Sequence, residues 1–298
     1  MLTFCVVTTV RCNLRCTYCY NDTHSNSVSF VPLAARAPRV FTRDLVARCV
    51  SDLAAHGVEM LVLTGGEPFV APSTQLWIEE SARSGMELRV ISNATVLSDA
   101  SLEALASHPS VTVSVSIGGA TIDQHNRDRG QWDATLAGIK RLAKAGVPFQ
   151  LSFVLTKASL GDIAGVAGLA REYGTIARVA ALAPGHDVAS LDHLSLRSVR
   201  TEDWEREINA CDDVDLTRDL AVVAAHYRGG LSVKYCAMRT RSQVMEPDGN
   251  VYGCFFRSDI KYGNVFESAL SEILSRIDTK RLLDAPCFGD HCLTMQFH

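Results

Sequence analysis

Three cysteines stand close together near the N-terminus, in the run Arg11-Cys12-Asn13-Leu14-Arg15-Cys16-Thr17-Tyr18-Cys19, with the spacing C-x3-C-x2-C. Three thiolates can hold three irons of a cubane iron–sulfur cluster and leave the fourth iron open to a small chelating ligand. A structural zinc site is the competing account, but zinc normally takes a fourth protein ligand close by. Of the ten cysteines in the 298 residues, seven fall in two clusters, at 12–19 and 236–292, while Cys5, Cys49 and Cys211 stand alone. Such clustering does not suit a disulfide scaffold, and in a reducing compartment it points to metal.

The elements around the first cluster are those of a repeating α/β chain. Thr3 to Val10 is β-branched and apolar, a buried first strand that delivers the cysteine loop at its C-terminal end. Thr42 suits the N-cap of a helix carrying Leu45, Val46, Cys49, Val50 and Leu53 on one stripe, where Cys49 is a small buried hydrophobe. Strands at Met60–Leu63, Leu88–Ile91, Val111–Ile117, Phe149–Leu155 and Ile176–Leu182 then alternate with helices at Thr74–Ser84, Ser98–Ala106, Trp132–Ala145 and Leu160–Tyr173. That alternation predicts a parallel sheet, and six units predict a partial (β/α)6 TIM-like barrel with its site on loops at the C-terminal strand ends.

At those loop positions stand Thr64-Gly65-Gly66-Glu67-Pro68 after the second strand, Ser92-Asn93-Ala94-Thr95 after the third, and Ser116-Ile117-Gly118-Gly119 followed by His125-Asn126-Arg127-Asp128-Arg129-Gly130 after the fourth. Together with the cysteine loop, these resemble the radical SAM superfamily, in the subfamily that carries a SPASM or twitch extension. The resemblance implies that Cys12, Cys16 and Cys19 hold a [4Fe-4S] cluster whose open iron chelates S-adenosylmethionine. Gly65, Gly66 and Glu67 would bind the methionyl ammonium, Asn93 the ribose, and Ser116 and Arg129 the ribose and carboxylate. Leu155 and Tyr18 would pack on the adenine. Gly118 departs from the pattern, which usually has an Asp there.

Cys236, Gly249 and Cys254 form C-x12-G-x4-C around Glu246-Pro247-Asp248-Gly249, a hairpin turn. Cys287 and Cys292 follow an amphipathic helix through Ile273 and Leu274. The series resembles the SPASM/twitch module, and four cysteines imply its shortened form with one auxiliary [4Fe-4S] cluster. The closing pair is C-x4-C, where C-x2-C is usual. A four-cysteine zinc knuckle is the structural alternative. The domains expected are 1–183, the barrel; 184–230, an acidic helical connector; and 231–298, the twitch module.

The resemblance implies reductive cleavage of S-adenosylmethionine, fed by a flavodoxin- or ferredoxin-type reductant, and removal of hydrogen from an unactivated C–H bond. An electron passed to the auxiliary cluster would give dehydrogenation or crosslinking, whereas hydrogen returned by a thiol would give epimerisation. Cys254, if it is not a ligand, and Cys211 are the candidate thiol donors. Starting at its first strand, the chain has no room for the leader-binding domain common in peptide-maturing relatives. The expectation is therefore a small-molecule substrate, a polycationic aminoglycoside, as in members such as neomycin C epimerase. Peptide maturation is the alternative, and a non-catalytic iron–sulfur electron carrier is a third reading, against which the nucleoside-type loops argue.

A run of seven carboxylates against one arginine lies between Glu202 and Asp215. It reads first as the wet face of a helix, and more sharply as an attractor for a cationic substrate. The net charge of −4 does not suggest nucleic acid, and no apolar run is long enough to span a bilayer. With no secretion signal, the expected location is cytoplasmic.

Overall fold

The computed structural model describes residues 2–19, 39–180, 194–228, 242–255 and 260–277. Six parallel strands form its centre: β1 (Thr3–Thr9), β2 (Met60–Gly65), β3 (Glu87–Ser92), β4 (Val111–Ile117), β5 (Phe149–Val154) and β6 (Ala177–Ala180). The intervening helices are α1 (Arg43–Ala55), α2 (Ser73–Ser84), α3 (Asp99–Ala106), α4 (Ile122–Asp128), α5 (Trp132–Lys144) and α6 (Ile163–Glu172). The expected partial (β/α)6 barrel is thus what these residues build. Local signals start the helices where the side chains allow: Thr42 accepts a hydrogen bond from the Leu45 N–H, and Ser98 does the same for Ser101. Each such cap contributes about 1 kcal/mol.

Period-two alternation gives the sheet two faces. Phe4, Val6, Leu61, Leu63, Leu88 and Val90 pack with Val46, Leu53 and Trp77 in the large core under the helices. The residues between them point to the inner face, where Cys5, Val7, Met60 and Val62 form a smaller apolar cluster. Farther along the sheet the same face turns polar. Ser114 and Ser116 on β4, Gln150 and Ser152 on β5, and Arg178 on β6 alternate with the helix-side residues Val113, Val115, Leu151, Phe153 and Val179.

Two helices, α7 (Thr201–Ala210) and α8 (Val214–Tyr227), follow β6. Asp219 on α8 covers the β6 edge: it accepts from the Val179 N–H at 3.1 Å and binds the Arg178 guanidinium in a fork, at 2.7 and 2.9 Å. The acidic run does not form an open negative mouth. Asp203 and Glu207 pair with Arg206, Asp212 with Arg171, and Asp215 with Arg218; Asp213 caps α8, and Glu205 lies 3.9 Å from Arg228. Six of the seven carboxylates are answered locally, and among the described residues Glu202 alone stays exposed without such a partner, so the attractor reading keeps little support.

Tertiary structure also changes the picture of the C-terminal module. Its strands β7 (Ser242–Met245), β8 (Asn250–Tyr252) and β9 (Lys261–Asn264) continue the barrel sheet in the order β6-β5-β4-β3-β2-β1-β7-β8-β9. Pairing is parallel between β1 and β7 and antiparallel within the module. The hairpin turn is where Asp-Gly placed it, with Gly249 at φ +84°. Helix α9 (Leu270–Ser275) packs with α1, and the Ser271 N–H donates to Asp52 at 3.0 Å. The module therefore extends the barrel sheet without a break.

Two further differences are local. The segment 122–128 is a helix capped by Thr121, where the sequence suggested a loop. The helix expected from Leu160 begins as a 3-10 turn, Lys157–Asp162, because a reciprocal Thr156/Ser159 capping box starts the chain turning earlier. Among the described residues no helix is long and apolar enough to cross a membrane.

Candidate functional site

Residues 10–19 lie across the C-terminal ends of the strands, held from several sides. The Thr17 N–H donates to the Asp128 carbonyl at 2.9 Å, and Thr17 Oγ1 donates to Asp128 Oδ1 at 2.8 Å. Asn13 donates from Nδ2 to Thr95 Oγ1 at 2.7 Å, and its Oδ1 accepts from Asn93 Nδ2 at 3.0 Å. Leu14, Cys16 and Tyr18 pack with Leu194, and Val154 closes over them from the end of β5.

The Gly65-Gly66-Glu67 segment has a different first task from the one its resemblance implied. A Cβ on Gly65 would sit 2.2 Å from the Thr9 carbonyl oxygen, and one on Gly66 would sit 2.1 Å from that of Arg11. The backbone that needs these glycines is the chain entering the cysteine loop, which the Gly66 and Glu67 N–H groups also bind at 2.8 Å each. Glu67 is fully buried. Its carboxylate accepts from Ser92 Oγ at 2.7 Å, the Asn93 N–H at 2.8 Å and the Phe69 N–H at 3.2 Å. Burial still lifts its pKa above the ordinary carboxylate range, against those three donors. Glu67 thus braces the loop after β3 from below.

Asn93 is the meeting point of these loops. Its Nδ2 lies 3.9 Å from Cys12 Sγ, its Oδ1 accepts from Thr95, and its carbonyl accepts from Thr135 Oγ1 at 3.2 Å. Ala94 holds a left-handed φ of 60°, and Gly138 on α5 is glycine because a Cβ there would meet the Ala94 carbonyl oxygen at 2.0 Å.

Arg129 lies buried beside Tyr18, donating from Nη1 to the phenol oxygen at 3.2 Å. Burial disfavours the Arg129 charge, but Tyr18 and the Cys16 and Cys19 sulfurs outweigh it and hold the group firmly cationic. Burial pushes the Tyr18 phenol up to about 12. The Arg129 stem bears on the departure at Gly118: its Cγ and Cδ lie 3.3 Å from where a Cβ would project, so an Asp there would have to push that stem aside by a few tenths of an ångström. His125 is buried beside Trp132, and its Nδ1 accepts from the Gly118 N–H at 3.4 Å. Burial and the Arg129 cation push it down to about 4.

Other expected residues are dispersed. Ser116 faces the inner wall near the end of β4. Leu155 does not: its side chain is fully buried in the helix-side core, one residue out of phase, and Val154 is the inward apolar residue. Cys211 ends α7 beside Asp212, which pairs with Arg171 in the last turn of α6. That end of the barrel is opposite the cysteine loop, so the thiol does not share the site. Cys254 packs on the inner-face cluster of Cys5, Val7 and Val244. Cys236, Cys287 and Cys292 lie outside the described residues.

Three thiols on one braced loop, with a buried cation among them, suit a cluster of net negative charge. A cubane takes one thiolate at each of three corners.

Residues 6–170 match the family described as the Radical SAM superfamily, and residues 236–292 match SPASM, an iron-sulfur cluster-binding domain. An AdoMet-dependent heme synthase from Methanosarcina barkeri is 32% identical over 57% of this chain and 47% of its own length. The antilisterial bacteriocin subtilosin biosynthesis protein AlbA of Bacillus subtilis is 23% identical over 96% of this chain and 62% of its own. The chain thus spans about half to two thirds of these relatives. Streptococcus suis SuiB, solved bound to S-adenosylmethionine and also to precursor peptide SuiA, has the same fold, with a TM-score of 0.71 at 15% identity over 92% of this chain and 65% of its own in the former structure. With more than half its length matched, and the matched loops meeting over the strand ends, the chain belongs to the radical SAM superfamily and carries a SPASM iron–sulfur domain.

Proposed function

We propose that this protein is a radical SAM maturase that modifies a peptide at an unactivated C–H bond. The observation that carries the reading is the similarity to a bacteriocin biosynthesis protein along 96% of the chain, through barrel and module alike. SuiB, whose structure includes a precursor peptide, supports it through a shared fold. The aminoglycoside expectation rested on the compact length of the chain and on the acidic run as a cation attractor, and six of the seven carboxylates of that run are engaged by arginines or serve as a cap.

When bound, the cluster and S-adenosylmethionine supply, on reduction by a flavodoxin- or ferredoxin-type donor, a carbon radical that takes hydrogen from an unactivated C–H bond. The chain's own residues position it. Cys12, Cys16 and Cys19 would hold the first cluster on a loop fixed by Asp128 and Asn13. Glu67 and Ser92 fix Asn93 beside that loop, and Arg129 supplies a buried cation for a carboxylate. The parallel pairing of β7 with β1 places the module beside the inner-face cluster on which Cys254 packs, where Cys254 would serve as one ligand of an auxiliary cluster able to accept an electron. This favours an oxidative outcome, dehydrogenation or crosslinking, over return of hydrogen by Cys254.

The test is anaerobic reconstitution followed by reduction with dithionite in the presence of S-adenosylmethionine. The expected product is 5′-deoxyadenosine, lost on Cys16→Ala; an electron carrier forms none. With a candidate precursor peptide, loss of two hydrogens supports an oxidative maturase. Deuterium uptake at an inverted carbon in deuterated water indicates an epimerase, and turnover of aminoglycosides in place of peptides would overturn the substrate class.

A further inference from the structure

Among the described residues, Arg89 on β3 has no hydrogen-bond or ion-pair partner, and its Nε is sealed from solvent. Its strand neighbours Leu88 and Val90 face the helices, so Arg89 points to the inner face with Ile91. The carboxylate that acts on it is Glu87, two residues earlier and exposed, which makes no ion pair with it. Burial and the nearby Arg178 guanidinium both work against its charge. Of these two arginines, Asp219 neutralises Arg178 alone, through a two-point contact. Among the described residues, the positive charge of Arg89 on the inner wall is therefore left uncompensated.

The surroundings fit a polar guest. Next to Arg89 across the sheet lies Thr112, and one layer higher Gln150 donates to Ser114 Oγ at 2.8 Å. Four residues along β3 from Arg89 is Asn93, roughly 13 Å at about 3.3 Å per residue. Arg89 thus lies on the inner face of the sheet, below Asn93 and the cysteine loop that Asn93 contacts. A half-buried guanidinium without a partner is costly and is stabilised by a carboxylate that forks onto it.

We infer that Arg89 is the anchor for a carboxylate of the substrate, holding it on the inner wall beneath the radical site. The inference rests on the proposed peptide-acting reading for the substrate's identity. A peptide offers this group as an Asp or Glu side chain or as its C-terminus, and both would fork onto one guanidinium.

The test uses the reconstituted full chain, with melting temperature as the readout and three blocked probes: N-acetyl-glutamate amide, with a side-chain carboxylate; N-acetyl-glutamine, with a terminal one; and neutral N-acetyl-glutamine amide. At saturation, one or both acids should raise the midpoint by about 2–4 °C, the neutral probe should not, and Arg89→Met should remove the increment. Whichever acid acts identifies the source. Without probe, Arg89→Met should melt at or above the wild type, since it removes a repelled, unpaired charge. Equal shifts with all three probes, an unchanged increment in Arg89→Met, or losses of the same size in Arg89→Met and Glu87→Gln without probe would overturn the anchor. Formation of 5′-deoxyadenosine by the wild type is scored separately. Its absence would refute the proposed function while leaving the binding result to stand.

Discussion

Asp128 holds Thr17 twice, by its carbonyl to the Thr17 N–H at 2.9 Å and by Oδ1 to the Thr17 hydroxyl at 2.8 Å. Thr17 lies between Cys16 and Cys19, so this contact joins the cysteine loop to the end of α4, and Arg127 steadies it by bridging Asp128 and Asp162. Asp128→Ala removes the side-chain contact and keeps the backbone one, a loss of about 1 kcal/mol. The expected outcome is faster loss of iron from the N-terminal cluster to a chelator, with auxiliary iron unaffected. Equal retention in variant and wild type would show that the loop needs no such tether.

Glu67 receives three donors on a carboxylate without solvent access. Glu67→Gln sets an amide N–H₂ against at least one of those donors, and a buried unsatisfied group costs about 1–3 kcal/mol. Denaturation of the apoprotein should show that loss, and equilibrium dialysis should show weaker binding of S-adenosylmethionine, because Asn93 loses its brace. If Glu67 touched the nucleoside and braced nothing, binding would weaken while stability stayed the same.

His125 has a folded pKa of about 4, below the ordinary 6.5. A depressed histidine contributes stability that is present above 6.5 and lost as pH falls toward 4, since the unfolded chain takes the proton first. The window is worth at most about 3 kcal/mol. Apoprotein stability should fall between pH 7 and pH 5. His125→Asn, which keeps an acceptor for the Gly118 N–H, should fall less steeply. Parallel slopes for the two proteins would remove His125 from the account.

Asp219 is 2% exposed and is the partner of both Arg178 and the Val179 N–H. Asp219→Ala leaves a partly buried guanidinium, its side chain 27% exposed, near Arg89 and takes the acceptor from the Val179 N–H. Breaking such a pair costs about 3–5 kcal/mol, which urea denaturation should record together with increased exchange of the β6 amides. A loss below about 1 kcal/mol would place the pair among exposed ones.

Much of this chain was legible in order of residues alone. Period-two apolar runs separated by helical stripes determined six parallel strands, because burial on one face selects that spacing, and C-x3-C-x2-C with Gly-Gly-Glu after the second strand determined the kind of cluster loop to expect. What the tertiary structure decided were matters of which face and which neighbour. Leu155 is the exception: its helix-side place follows from alternation with Leu151 and Phe153, a phase already written in the run Gln150-Leu151-Ser152-Phe153. Gly65 and Gly66 yield to the chain's own backbone, Cys211 lands at the far end of the barrel, and the hairpin of the module joins β1. Each depends on contacts between residues tens to hundreds of positions apart. For the same reason the unpaired state of Arg89 was invisible in sequence: Asp219, which neutralises the other inner arginine, lies 130 positions away.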